Sequence, residues 1–82
     1  MIRVTVYTKP ECKPCEGTKK MLTKKGIEFE AVDVTEVPSA AKVVTDLGYA
    51  GVPVVVVDCG DEASWTWHGF APSQIEKLAA LQ

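Results

Sequence analysis

Two cysteines, Cys12 and Cys15, stand three positions apart in an 82-residue chain that contains three cysteines in all. Such a C-x-x-C pair has three interpretations: a dithiol that cycles to a disulfide, half of a zinc site, or small buried side chains. Zinc needs about four ligands, and the remaining candidates, Cys59 and His68, are not spaced as a second ligand pair. We therefore favour thiol–disulfide redox chemistry and keep metal binding as an alternative.

The residues around the pair predict how the two sulfurs divide the chemistry. Pro14 suits the first turn of a helix, where its missing N–H leaves no hydrogen bond unmade, so Cys12 stands at or just before a helix N-terminus. Unpaired N–H groups and the helix macrodipole favour an anion there and lower the pKa of the Cys12 thiol. Lys9 and Lys13 add positive charge. Because only the thiolate attacks a disulfide, Cys12 is the expected exposed nucleophile and Cys15 the more buried resolving residue.

The elements that position this pair follow from the hydrophobic pattern. Strands are predicted over residues 2–7, 29–34, 52–57 and 63–68. Helices are predicted from Pro14 to Gly26, from about Pro38 to Gly48, and onward from Pro72. The inward face of the second helix is expected to comprise Ala40, Val43, Val44 and Leu47. The order βαβαββα predicts one α/β domain over residues 1–82, with three helices on a four-stranded mixed sheet.

The connections between these elements predict the directions of the strands. The first two strands are joined through a helix, which predicts a parallel pair. The apolar run over residues 52–57 is expected to be buried on both faces. Residues 58–61 have the composition of a hairpin turn, so the last two strands are expected to be antiparallel.

Composition and charge exclude several classes of protein. Apolar residues make up 46% of the chain and the net charge is −2, which is typical of a globular fold and unlike a nucleic-acid binder. The longest apolar run, residues 52–57, is too short to cross a membrane. The N-terminus lacks the apolar stretch of a signal peptide, so we expect a cytoplasmic protein, and a monomer is the default. Residues 1–25 carry a net +5, which favours an acidic partner segment.

Together these features resemble the thioredoxin superfamily and, through the small size, its glutaredoxin-like branch. Within that branch the chain is most similar to the NrdH-redoxins. Four segments carry the resemblance: Val6-Tyr7-Thr8-Lys9-Pro10-Glu11-Cys12, Val32-Asp33-Val34-Thr35, Leu47-Gly48-Tyr49 with Val52-Pro53-Val54-Val55, and Trp67-His68-Gly69-Phe70-Ala71-Pro72. The last resembles the family's W-S-G-F-R-P segment, with His68 in place of serine and Ala71 in place of arginine.

The resemblance implies an activity, partners and a set of site residues. It implies a small redoxin that accepts electrons from NADPH through the flavin of thioredoxin reductase, with no cofactor of its own. The acceptor would be the C-terminal tail of the large subunit of a class Ib ribonucleotide reductase. It also implies a cis Val52–Pro53 bond that faces the cysteines and holds the acceptor chain. The implied neighbours of the site are Thr8 and Lys9, and the implied reductase surface comprises Trp67, Gly69 and Phe70.

Two departures from the family pattern leave other functions open. The pair Lys13-Pro14 differs from the family's usual V-Q or M-Q and resembles the G-P of thioredoxin, so we hypothesise a thioredoxin-like potential. Ala71 lacks the charge of the family arginine.

The nearest alternative is a glutathione-dependent glutaredoxin, although its Gly-Gly-x-Asp segment is replaced here by one containing Phe70. An alternative of another class is a metal or iron–sulfur module.

Four other residues are given ordinary roles. Cys59 is expected to be an incidental thiol, less reactive than Cys12 because acidic residues flank it. Asp33 is expected to be a hydrogen-bonded carboxylate at a strand end. His68 is expected to face solvent. Tyr49 precedes the proline loop and either covers the site or packs against the sheet.

Overall fold

Seven regular elements follow one another in the computed structural model, which describes residues 2–60 and 64–81. The strands are β1 (Arg3–Thr8), β2 (Glu30–Asp33), β3 (Val54–Asp58) and β4 (Ser64–His68). The helices are α1 (Lys13–Lys24), α2 (Pro38–Asp46) and α3 (Pro72–Ala80). The predicted order βαβαββα is confirmed. None of the helices in the described residues is long and apolar enough to cross a bilayer.

The four strands form one mixed sheet in the order β2-β1-β3-β4. β1 runs parallel to β2, with Val6 opposite Ala31. β3 is antiparallel to both of its neighbours, and Val55 lies opposite Val6 on one side and Trp67 on the other. The predicted parallel pair and the predicted antiparallel pairing of the last two strands are therefore both confirmed.

The main core lies between one face of the sheet and the helices α1 and α3, which contact each other. Its members share nearly complete burial: Val4, Val6, Leu22, Ile27, Val55, Val57, Trp67, Ile75 and Leu78. On β1 the buried side chains alternate with half-buried ones, which is the pattern that strand geometry produces. On β3, Val54, Val55 and Val57 are fully buried and Val56 is half-buried, so the prediction that this run is buried on both faces is confirmed.

Helix α2 corrects one prediction. Ala40 and Val44 are buried, but Val43 is 38% and Leu47 43% exposed. The two buried residues are four positions apart and form a narrow stripe, so this short helix presents only one row to the sheet. Val43 lies to one side of that row, and Leu47 is the C-cap residue just beyond the last residue of α2.

The strand boundaries also differ slightly from those predicted. β3 begins at Val54 rather than at residue 52, since the proline before it has no N–H to donate to a neighbouring strand. At the other end of β3 the chain turns, and the carboxylate of Asp58 accepts the N–H of Gly60 at 2.9 Å. The rest of the predicted turn and the predicted first residue of the next strand, residues 61 and 63, lie outside the described residues.

Candidate active site

The cysteine pair lies where the chain passes from β1 into α1. Cys12 is the N-cap of α1, with extended backbone angles of φ −113° and ψ 103°, as is usual for a residue in that position. Its sulfur accepts the N–H of Cys15 at 3.2 Å. The two cysteines form a disulfide, and their Cα atoms are 5.2 Å apart. The predicted position of Cys12 at a helix start is confirmed. Because the two sulfurs lie within one helical turn, the pair can change between dithiol and disulfide.

The two sulfurs differ in exposure, although less than predicted. Cys15 is 0% exposed and Cys12 is 6% exposed. The order is as expected, but Cys12 is a nearly buried residue rather than an exposed one. The reason is a loop that is distant in sequence: the carbonyl oxygen of Val52 lies 4.0 Å from the sulfur of Cys12. Since a disulfide sulfur carries no proton, this approach is a van der Waals contact in the oxidised protein.

The loop that approaches Cys12 is held at its far end by the segment after β4. The peptide bond between Val52 and Pro53 is cis, as the resemblance implies. The carbonyl of Pro53 accepts the N–H of Gly69 at 2.9 Å. A backbone carbonyl next to the reactive sulfur is the type of group that pairs with an incoming extended chain.

Tyr49 joins the start of the same loop to the edge strand β4. Its hydroxyl lies 2.7 Å from the hydroxyl of Thr66. Its ring stacks on the ring of His68, with centroids 5.6 Å apart and an angle of 16° between the planes. His68 is exposed, as predicted. Tyr49 therefore packs on the sheet and at the same time ties down the segment that leads to Val52.

The residues next to Cys12 in the chain differ in exposure and in backbone conformation. Thr8, the last residue of β1, is 7% exposed, whereas Lys9 and Lys13 are exposed. Glu11 has a φ of +56°, in the left-handed region that residues other than glycine rarely adopt. This conformation turns the chain so that Cys12 can cap α1. The sequence carries no signal for it, because glutamate is not a typical left-handed residue.

The comparisons with known proteins agree with this geometry. The glutaredoxin family model matches residues 4–60. The glutaredoxin-like protein NrdH of Escherichia coli K12 is 36% identical over 77 residues, which cover 94% of this chain and 89% of the relative. The gene 56 protein of Mycobacterium phage L5 is 47% identical over 76 residues, or 92% of this chain and 70% of the relative.

A solved structure of NrdH-redoxin from Escherichia coli superposes with a TM-score of 0.79 and 37% identity, covering 93% of each chain. The chain belongs to the glutaredoxin family, in its NrdH group. The redoxin is thus a thiol–disulfide oxidoreductase with a C-x-x-C pair at disulfide distance.

The residues implied to meet a reductase lie at the end of β4 and directly after it, and the structure contradicts the implied position of one of them. Phe70 is 49% exposed and Gly69 is half-buried, but Trp67 is only 5% exposed and belongs to the main core. Alternation along β4 turns Trp67 towards α1 and α3, because residues of one strand point to opposite faces in turn. Its side chain therefore cannot be part of an open surface in this redoxin.

The sequence did not predict a contact between Phe70, just after β4, and helix α1. The ring of Phe70 rests on α1 at Gly17, where an added Cβ atom would lie 3.4 Å from the ring carbon Cδ1. A glycine inside a helix is unfavourable by roughly 1 kcal/mol relative to alanine. Such a glycine was the available signal that another group approaches the helix there.

Asp33 has the structural role expected of it. It ends β2, and its carboxylate accepts hydrogen bonds from the hydroxyl of Thr35 at 2.6 Å and from the Thr35 N–H at 2.8 Å. The hydroxyl first, and then the backbone N–H, lower the pKa of Asp33 below its usual value.

The described residues contain no group of three or more His, Cys, Asp or Glu side chains placed to hold a metal ion. Cys59 is a half-buried free cysteine that packs against the main core. His68 stacks on Tyr49 on the exposed side of β4. Within these residues, the structure therefore does not bring the four candidate zinc ligands of the sequence into one site.

Proposed function

We propose that this redoxin carries electrons from thioredoxin reductase to the C-terminal disulfide of the large subunit of a class Ib ribonucleotide reductase. NADPH and the flavin of the reductase would supply the electrons, and the redoxin would act in the cytoplasm as a monomer without a cofactor of its own. The observation that carries the proposal is the sulfur of Cys12 at the start of α1, with Cys15 one turn away. Membership in the NrdH group supports the choice of partners.

The first step of the proposed reaction is attack by the Cys12 thiolate on one sulfur of the acceptor disulfide. That attack forms a mixed disulfide and releases the other acceptor sulfur as a thiolate, which takes up a proton. The start of α1 supports this step because its N–H groups and dipole favour the anionic form of a sulfur placed there. The N–H of Cys15, which lies 3.2 Å from the sulfur in the oxidised form, is one such group.

The second step is attack by Cys15, as thiolate, on the sulfur of Cys12. It restores the Cys12–Cys15 disulfide and releases the second acceptor thiol, so two electrons pass from the redoxin dithiol to the acceptor. Because Cys15 is fully buried, it is suited to react within the molecule rather than with an outside disulfide. The Val52 carbonyl beside Cys12 would pair with the backbone of the acceptor chain.

The test compares two sources of electrons for the same acceptor. The acceptor is a synthetic peptide with the sequence of the C-terminal tail of a class Ib ribonucleotide reductase large subunit, in its disulfide form. We expect NADPH oxidation with thioredoxin reductase and little with glutathione plus glutathione reductase. Turnover that depends on glutathione alone would make the protein a glutathione-dependent glutaredoxin.

Two variants test the division of labour between the sulfurs. Cys12→Ser is expected to abolish dithiol turnover with either electron source. Cys15→Ser is expected instead to leave the first step intact and to accumulate a mixed disulfide with the acceptor, visible by mass spectrometry. A trapped complex through Cys15 in the Cys12→Ser variant would reverse the proposed roles.

The residues between the cysteines lead to a proposal for the reduction potential. Pro14 stands directly before Cys15, as in the G-P pair of thioredoxin, and we propose a potential of about −270 mV rather than the roughly −200 to −230 mV of glutaredoxins. Equilibration against a glutathione buffer measures it. A value above about −230 mV would contradict the proposal.

A further inference from the structure

Three lysines form a stripe along the outer face of α1, starting beside the redox site. Lys13, Lys20 and Lys24 are all exposed. At 3.6 residues per turn their directions fall within about 40° of one another, and the Cα atoms of the first and last are roughly 16 Å apart. The opposite face of α1 is the buried one. We call these three residues the lysine stripe.

The positive charge of the lysine stripe is not neutralised by ion pairs in the part of the chain that the structure describes. Glu16 is the single acidic residue of α1, and its Oε1 lies 3.3 Å from the Nζ of Lys19, which is not part of the stripe. The other ion pairs there join Lys25 to Glu76 and Lys42 to Asp46. Lys20 and Lys24 are moreover four positions apart, a spacing at which like charges destabilise a helix. The fold therefore gives no reason for this stripe, in a chain whose net charge is −2.

An apolar group lies beside the lysine stripe at mid-length. Gly17 falls between Lys13 and Lys20 on the same side of α1, and the ring of Phe70 rests against it. Half of the Phe70 side chain remains exposed. The surface thus combines three cations in a row with one accessible aromatic ring, and the residue that starts the row directly follows Cys12.

We propose that the lysine stripe and Phe70 bind an acidic polypeptide segment that flanks the disulfide of the acceptor protein. An extended chain rises about 3.3 Å per residue, so the stripe spans roughly five residues of the acceptor. The acidic residues must therefore lie within about five positions of the attacked cysteine, with one apolar side chain among them for Phe70. This inference rests on the proposed disulfide exchange at Cys12, but not on which protein is the acceptor.

The test uses three synthetic peptides, each closed by one internal disulfide. In the first, Glu and Asp with one Leu occupy the five positions beside a cysteine. In the second, Gln replaces the acidic residues. In the third, the acidic residues are moved to the far end of the peptide, so that overall charge is unchanged. The redoxin is reduced chemically and freed of reductant, and the rate constant for each peptide is measured by stopped flow.

We expect the first peptide to be reduced about tenfold faster than the second at low salt, because complementary charge raises the rate of association. The advantage should fall to less than about twofold near 1 M salt, where the Debye length is about 3 Å. The third peptide should react like the second. Equal rates for the first and third peptides would show long-range attraction without docking and would overturn the proposal.

A pair of variants assigns the effect to the lysine stripe. Lys20→Gln with Lys24→Gln is expected to lower the rate for the acidic peptide about fivefold and to leave the Gln peptide unchanged. The control is Lys42→Gln with Lys77→Gln, which removes the same charge from α2 and α3 and should leave both rates near those of the unsubstituted protein. An equal loss in the control pair would overturn the proposal.

Failure of the proposed function gives a different result from failure of this inference. If thioredoxin reductase does not reduce the redoxin, the proposed electron source is wrong, yet the peptide assay still runs on chemically reduced protein. If reductase turnover is observed but the three peptides react alike, the lysine stripe is not a docking site.

Discussion

The capping role of Cys12 can be measured apart from its redox role, by comparing Cys12→Ser with Cys12→Ala. Both variants remove the thiol and the disulfide, and they differ in whether position 12 can still accept the N–H of Cys15. That acceptor matters because the neighbouring N–H groups in the first turn of α1 do not depend on the side chain at position 12. Pro14 has no N–H, and the N–H of Glu16 already bonds to the carbonyl of Cys12 at 3.0 Å.

The expected difference follows from the position of that N–H group. Replacing a capping serine by alanine usually costs about 1 kcal/mol, within a range of roughly 0.5–2. Cys15 is fully buried, and an unpaired buried donor costs about 1–3 kcal/mol, so the loss should lie in the upper half of the capping range. We expect Cys12→Ser to be about 1–2 kcal/mol more stable than Cys12→Ala in urea unfolding, with the same dependence on urea concentration.

A third variant separates the cap from the disulfide. Cys15→Ala removes the disulfide and a buried sulfur but retains the capping sulfur of Cys12, and the chemically reduced protein shows what reduction alone does to stability. In thermal unfolding, each 1 kcal/mol between the Ser and Ala variants should move the midpoint by about 4–8 °C. Equal stability of Cys12→Ser and Cys12→Ala would refute the reasoning, because position 12 would then not be supporting the start of α1.

Three further predictions concern single positions. Gly17→Ala should raise the free energy of unfolding by about 1 kcal/mol, because the added Cβ would meet neighbouring atoms at 3.4 Å or more. Gly26→Ala should lower the free energy of unfolding, because Gly26 has a φ of +74°. Changes of the same sign in urea unfolding of the two variants would contradict this prediction. Glu11→Gly should stabilise the protein by roughly 1 kcal/mol, because the left-handed backbone at this position is strained for glutamate; an unchanged unfolding midpoint would count against that strain. Thr35→Val should raise the pKa of Asp33, followed by NMR of the carboxyl carbon. Because the pKa of Asp33 is lowered in the folded protein, the Asp33–Thr35 interaction stabilises the fold above the unfolded pKa, and this stabilisation disappears as the pH falls through the folded pKa. The difference in stability between Thr35→Val and the unsubstituted protein should therefore vanish in acid. A difference that persisted in acid would contradict the prediction.

Much of the local structure around the cysteines was readable from neighbouring residues. Alternation of apolar residues marked β1, because side chains on a strand alternate between its faces. Pro14 indicated the helix start and Gly26 its end, since one lacks an N–H and the other tolerates a φ of +74°. These are local rules, and they were sufficient to place Cys12 as the N-cap.

The failures have a common cause, which is contact between segments far apart in the chain. Cys12 is nearly buried because the Val52 loop, forty residues later, approaches its sulfur. Trp67 is a core residue because β4 presents that face to α1 and α3. Val43 is exposed because α2 presents only one row to the sheet. None of these contacts leaves a trace in the periodicity of the segments themselves.

By itself, the sequence determined which residues could do chemistry and which secondary structure would carry them. Both depend on interactions within a few positions: a proline in the first helical turn, an alternating strand, two sulfurs one helical turn apart. Tertiary structure decided how far each sulfur is exposed, which carbonyl approaches Cys12, and which aromatic ring remains accessible beside the lysine stripe. These depend on packing between elements distant in the chain, since exposure is a property of what covers a residue rather than of the residue alone.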